Sequence, residues 1–130
     1  MSLQSHLSRL AGEAFAQLGL PAELGEVVPS QRPELSQFQC NGAMAAGKLA
    51  DRPPREIAGE VAQSLATAPE VSLAEVAGPG FINLSVTDEA LATWAARSAD
   101  DDHLGFDPPT EPETVVVEYA GPNVAKAMHV

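Results

Sequence analysis

Residues 71–86 read Val71-Ser72-Leu73-Ala74-Glu75-Val76-Ala77-Gly78-Pro79-Gly80-Phe81-Ile82-Asn83-Leu84-Ser85-Val86. Val71 and Leu73 stand opposed to Ser72 and Ala74, a period of two that marks a strand. Gly78-Pro79-Gly80 then turns the chain into Phe81–Val86, which alternates again, so the stretch predicts a β-hairpin. In its second strand the pleat sends Ile82, Leu84 and Val86 to one face and Phe81, Asn83 and Ser85 to the other. The apolar set takes the core, leaving Phe81 beside Asn83 on the outer face. An exposed aromatic ring next to an amide can stack a base and hydrogen-bond its edge. The plainer alternative is that Phe81 lies under a second helix and Asn83 caps a loop.

Working outward, apolar residues at Leu3, Leu7, Leu10, Ala11, Ala14, Phe15 and Leu18 recur at three and four, which predicts an amphipathic helix ended by Gly19 and Pro21. Short extended segments are expected at Glu26–Ser30 and Phe38–Cys40. Asn41 is the expected N-cap of a helix through Ala43, Met44 and Leu49. Asp51 or Arg52 is expected to cap the next, with prolines in its first turn and Ile57, Val61, Ala62 and Leu65 on its buried face. Thr87 or Asp88 caps a last helix carrying Leu91, Trp94 and Ala95 and ending at Ala99. Helices alternating with strands that a tight turn joins antiparallel make an α+β domain over residues 1–99: a small antiparallel sheet with packed helices. Residues 100–113, DDDHLGFDPPTEPE, have the acidic, proline-rich composition of a linker. Thr114–Tyr119 is a continuous β-branched run of the kind covered on both faces in parallel sheets. Residues 114–130 are therefore expected to be the first strand and turn of a second, Rossmann-like α/β domain, cut off almost at once.

The chain has 130 residues, 45% of them hydrophobic, enough to bury one core. No apolar run approaches the ~18 residues of a membrane span, and Arg9 and Glu13 interrupt the N-terminus where a secretory signal would be apolar; a cytoplasmic address is expected, with no membrane partner. Cys40, the single cysteine, has no partner for an internal disulfide and is expected to be a small buried hydrophobe. The net charge of −11 opposes non-specific nucleic-acid binding. The imbalance begins at Glu56; before it bases and acids balance, so a polyanion would meet the region of Lys48, Arg52 and Arg55. Asn83-Leu84-Ser85 fits a glycosylation acceptor that has no signal peptide to deliver it. Asp100-Asp101-Asp102-His103 is expected to be a solvated acidic run, and no metal site is expected.

The run Val117-Glu118-Tyr119-Ala120-Gly121-Pro122-Asn123-Val124-Ala125-Lys126-Ala127-Met128-His129-Val130 resembles the opening of the catalytic domain of class I arginyl-tRNA synthetases. There glutamate, Pro-Asn, lysine and histidine keep the same spacing, with Ser-Ser where this chain has Ala120-Gly121 and proline where it has Ala127. Phe38-Gln39-Cys40-Asn41-Gly42-Ala43-Met44 and Gly78-Pro79-Gly80-Phe81-Ile82-Asn83 resemble, in the same order, the N-terminal appended domain of that family. The resemblance implies an arginine–tRNA ligase as the parent protein, with tRNA(Arg), arginine and ATP with its Mg2+ as partners. It implies that Glu118 and Asn123 line the arginine pocket, the carboxylate answering the substrate's charge. Lys126 would serve the ATP phosphates, and His129 would be the first histidine of the His-x-Gly-His signature. Phe81 and Asn83 would contact the D-loop at the tRNA elbow. A chain holding only the first strand of the catalytic domain is not expected to catalyse or to retain a cofactor. Its exposed Val115–Val117 strand is expected to invite pairing into a dimer. The alternative is a free-standing α+β module that binds RNA or protein without aminoacylation; such a module has no use for residues 115–130.

Overall fold

Leu3–Gln17 forms the first helix, α1, whose buried residues Leu7, Ala11, Ala14 and Phe15 fall on the predicted stripe. The Ser2 side chain caps it by accepting from Ser5 N at 3.0 Å. The computed structural model describes residues 2–102. The rest of the expected linker, the Thr114–Tyr119 strand and the residues Glu118, Asn123, Lys126 and His129 lie outside the described residues.

A short 3-10 turn at Ala22–Gly25, which the sequence pattern does not announce, leads into β1 (Val27–Pro29) and β2 (Phe38–Cys40). Helices α2 (Ala43–Ala50) and α3 (Pro54–Ala66) follow, then the hairpin β3 (Val71–Ala77) and β4 (Phe81–Val86), and helix α4 (Asp88–Ala99). The sheet has the order β1-β2-β4-β3, and every neighbouring pair is antiparallel. Leu7 and Phe15 of α1 and Ile57, Val61 and Leu65 of α3 bury against Val27, Cys40, Ile82, Leu84 and Val86 on the inner sheet face. The architecture is the expected α+β layer of helices on an antiparallel sheet.

Three local expectations are corrected. Asn41 does not cap α2; the N-cap is Gly42, without a side-chain bond, because Leu24 crosses so closely that a Cβ there would lie 1.8 Å from its carbonyl oxygen. Asp51 does not open α3 but closes α2 in the left-handed region at φ 52°. Arg52 N there reaches back to Gly47 O, a Schellman-type closure. Pro53 is the N-cap of α3, and Pro54 stands at its first position, where a missing N–H costs nothing. Finally, Val71 and Leu73 do not share a face: the register slips between them, so that Val71 pairs with Val86 and Leu73 with Ser85. The extra residue, Ser72, flips the alternation as a bulge does, and Ala74 and Val76 take over the inner face.

The Thr87 hydroxyl accepts from Ala90 N at 3.1 Å and starts α4 as expected. Ala90 is the one buried residue of that helix; Leu91 stays 37% exposed. Trp94 fastens α4 instead, its ring 5.2 Å from that of His6, with the Arg97 guanidinium carbon over the indole, 5.1 Å from the ring centroid. No helix among the described residues is long and apolar enough to cross a membrane.

Candidate nucleic-acid interface

The sheet's helix-free face is set by register. Gln39 of β2, Asn83 of β4 and Glu75 of β3 lie abreast in one row, and Phe81 stands beside Ala77 in the next. Phe81 and Asn83 are half-buried and line one cleft of about 310 Å³. The residues that line this cleft come from the strands, the hairpin turn and the β1–β2 loop, and none from a helix.

The cleft is shaped by the loop between β1 and β2. Ser30, Gln31, Arg32 and Leu35 line it opposite Ala77, Gly78 and Phe81, with Gln39 and Asn83 between. The loop is held by its own backbone and hydroxyls. Ser30 N donates to Gln37 O, Arg32 N donates to Ser30 Oγ at 3.0 Å, and the buried Ser36 hydroxyl donates to Phe38 O at 3.0 Å. Leu35 remains 48% exposed. Arg32 donates to Glu34 at 2.9 Å. A hydrogen bond to its own backbone, then the Arg32 contact, holds the Glu34 carboxyl below its ordinary value.

The turn that presents Phe81 is fixed from the other side. Arg55 donates to the Gly78 carbonyl, and Gly80 packs against Pro54 closely enough to leave 2.9 Å between an added Cβ and the proline's own. The first turn of α3 thus seats the hairpin tip. This use of Arg55 changes the expected basic patch. Arg52 is bonded to Glu56 at 2.6 Å and Glu60 at 3.1 Å, the two carboxylates, Glu60 foremost, raising its pKa. Of the three cations Arg52 alone is ion-paired, Arg55 bonds a carbonyl, and Lys48 makes neither kind of contact among the described residues.

The sequence pattern marked Phe81 and Asn83; it passed over Gln39, Arg32 and Leu35. Gln39 alternates with Phe38 and Cys40, which signals an outward side chain, but nothing in the chain announces that β2 pairs with β4. Cys40 is buried as expected, its Sγ 3.7 Å from Leu24 O, and burial pushes its thiol pKa up. Among the described residues, no cluster of three His, Cys, Asp or Glu is placed to hold a metal ion.

A helix-backed antiparallel sheet with a bare polar face and an aromatic at a fixed turn defines the class of small α+β modules that present a sheet surface. The chain belongs to the arginyl tRNA synthetase N terminal domain family, whose model matches residues 2–86. It is 48% identical over 130 residues to the arginine–tRNA ligase of Maricaulis maris and 51% identical over 129 residues to that of Hyphomonas neptunium. Each match covers 99% of this chain and 22% of the relative. The arginine–tRNA ligase of Laribacter hongkongensis is 42% identical over the whole chain, which covers 23% of that protein. The chain therefore spans less than a quarter of the length of these relatives.

Proposed function

We propose that residues 2–99 dock on the elbow of tRNA(Arg), at its D-loop, as the N-terminal domain of an arginine–tRNA ligase. Phe81 stacks on a base, and Asn83 hydrogen-bonds that base's edge. The observation that carries this is the pairing of a half-buried aromatic with an uncommitted amide on the helix-free sheet face, in a chain of the synthetase family. Stacking suits an acidic protein because it draws on the π-face of a base and not on phosphate charge. In the same proposal residues 114–130 open the catalytic domain. Glu118 and Asn123 hold arginine, while Lys126 and His129 act on ATP, which brings its Mg2+. The parent ligase, acting in the cytoplasm, joins arginine to tRNA(Arg); this segment mainly binds the tRNA elbow and does not catalyse by itself.

The test is binding of an in vitro transcript of tRNA(Arg), followed by fluorescence anisotropy. Phe81→Ala is expected to weaken binding by roughly 1–3 kcal/mol, the worth of one stacked base, and Asn83→Ala by a similar or smaller amount. Circular dichroism checks that both variants fold. Folded variants that bind as tightly as wild type would overturn the assignment.

A further inference from the structure

Resting on that proposal, we infer that Gln39 and Arg32 complete the site, so that the cleft seats one unstacked nucleotide with its base edge shared by Gln39 and Asn83 and its phosphate on Arg32. Three observations converge. First, Gln39 and Asn83 are register partners on adjacent strands, which sets their Cβ atoms about 4.5–5.5 Å apart on one face. Two amides at that separation offer donors and acceptors side by side, as a base edge requires.

Second, both amides are unspent. Neither side chain has a hydrogen-bond partner among the described residues. The neighbouring Gln37, by contrast, uses its amide oxygen to accept from Val86 N at 2.9 Å. The sheet commits one glutamine to its own backbone and leaves the other two amides facing the cleft.

Third, the charges around the row are polar in direction. Glu75 flanks Asn83 on the β3 side, where it repels phosphate. Arg32 is the one cation lining the cleft, on the loop side. Its partner Glu34 is exposed and adjacent in the loop, so the pair exchanges for a phosphate contact without baring a buried charge. A nucleotide thus enters with its phosphate toward the loop and its base toward the sheet.

The experiment uses the full chain with the tRNA(Arg) transcript and three single-base variants at each D-loop position. Gln39→Ala is expected to weaken binding by roughly 5- to 150-fold and to flatten the preference among D-loop bases. Arg32→Ala is expected to make log K against log salt shallower by about 0.7, one phosphate contact fewer, with base preference unchanged. Glu34→Ala leaves that slope as in wild type. If Gln39→Ala and Arg32→Ala keep wild-type affinity, base preference and salt slope while Phe81→Ala weakens binding, the inference fails and the proposed function stands. If Phe81→Ala and Asn83→Ala, both folded, bind like wild type, or the wild-type chain binds no transcript, both fall. Melting curves on each variant separate lost contact from lost fold, and Gln39→Glu, of equal size, repeats the test should the alanine variant unfold.

Discussion

Gly25 lies against the backbone of α1 so closely that an added Cβ would stand 2.1 Å from Gly12 N and 2.5 Å from Gly12 Cα. Gly12 in turn leaves 2.9 Å between such a Cβ and Ala22 O. The two glycines let the 3-10 turn and the first helix touch main chain to main chain, and the turn then delivers Val27 into the core. Neither contact atom is the end of a flexible side chain, so Gly25→Ala must push the turn away from α1. An expected destabilisation of about 1–3 kcal/mol follows from overpacking. Gly59, inside α3, meets nothing within 4 Å, and Gly59→Ala should stabilise by about 0.5–1 kcal/mol through helix propensity alone. Urea unfolding of the two variants checks the opposite signs; equal shifts would show that the close approach is not tight. In the sequence these glycines look alike, each a lapse in helix or turn propensity. Phe81 and Asn83 were legible because a period of two is a local property. Gln39 and Arg32 were not, since their place depends on which strand lies beside β2.

At the scale of elements, three-and-four spacing located α1 and α3, and alternation located the hairpin, because burying one face forces those periods. What the pattern missed is where a neighbour overrides a local preference. The bulge at Ser72 exchanges the faces of β3, and Asp51 serves the end of one helix where capping chemistry suggested the start of the next. Helix α4 shows the same limit, since its apolar residues predict a buried face while one alanine is buried and aromatic contacts do the fastening. His6 is central there. Its Nε2 lies 2.8 Å from Glu70 Oε1 and its ring meets Trp94. The hydrogen bond with His6 is the main reason that the Glu70 carboxyl is held below its ordinary value of 4.5. Because the folded pKa is depressed, the stabilisation is complete above pH 4.5 and is lost as pH falls through the folded value. Glu70→Gln should therefore cost up to about 1 kcal/mol near neutrality, and the gap to wild type should close in acid. Unfolding curves at pH 7 and at successive steps toward pH 3 read this directly. A gap that persists or widens below the ordinary carboxylate range would assign Glu70's contribution to packing and not to charge.

At the scale of the whole molecule, every buried core residue among the described residues lies between Leu7 and Ala90, and the candidate site lies between Ser30 and Asn83. The core of the described residues and the proposed tRNA contact both fall within residues 2–102. A chain ending at Asp102 keeps every core residue described above, so its melting midpoint should stay within about 4 °C of the full chain, the equivalent of the ~0.5 kcal/mol expected of changes outside a core. Deleting 103–130 removes four acids and one lysine, which makes the protein less negative. Repulsion toward a polyanion falls accordingly, and the shortened chain should bind the tRNA(Arg) transcript at least as tightly as the full one. The proposed arginine and ATP residues, Glu118, Asn123, Lys126 and His129, go with the deleted segment. In the proposal they serve a nucleotide site that several strand ends must build together, so neither chain is expected to show arginine-dependent exchange of pyrophosphate into ATP. Anisotropy titrations and the exchange assay on both chains test the division. Loss of tRNA binding on truncation, with the melting midpoint unchanged, would move the RNA contact out of the sheet face and into residues 103–130. Exchange by the full chain that the short one lacks would show that residues 103–130 carry more of the reaction than the proposal assigns to them.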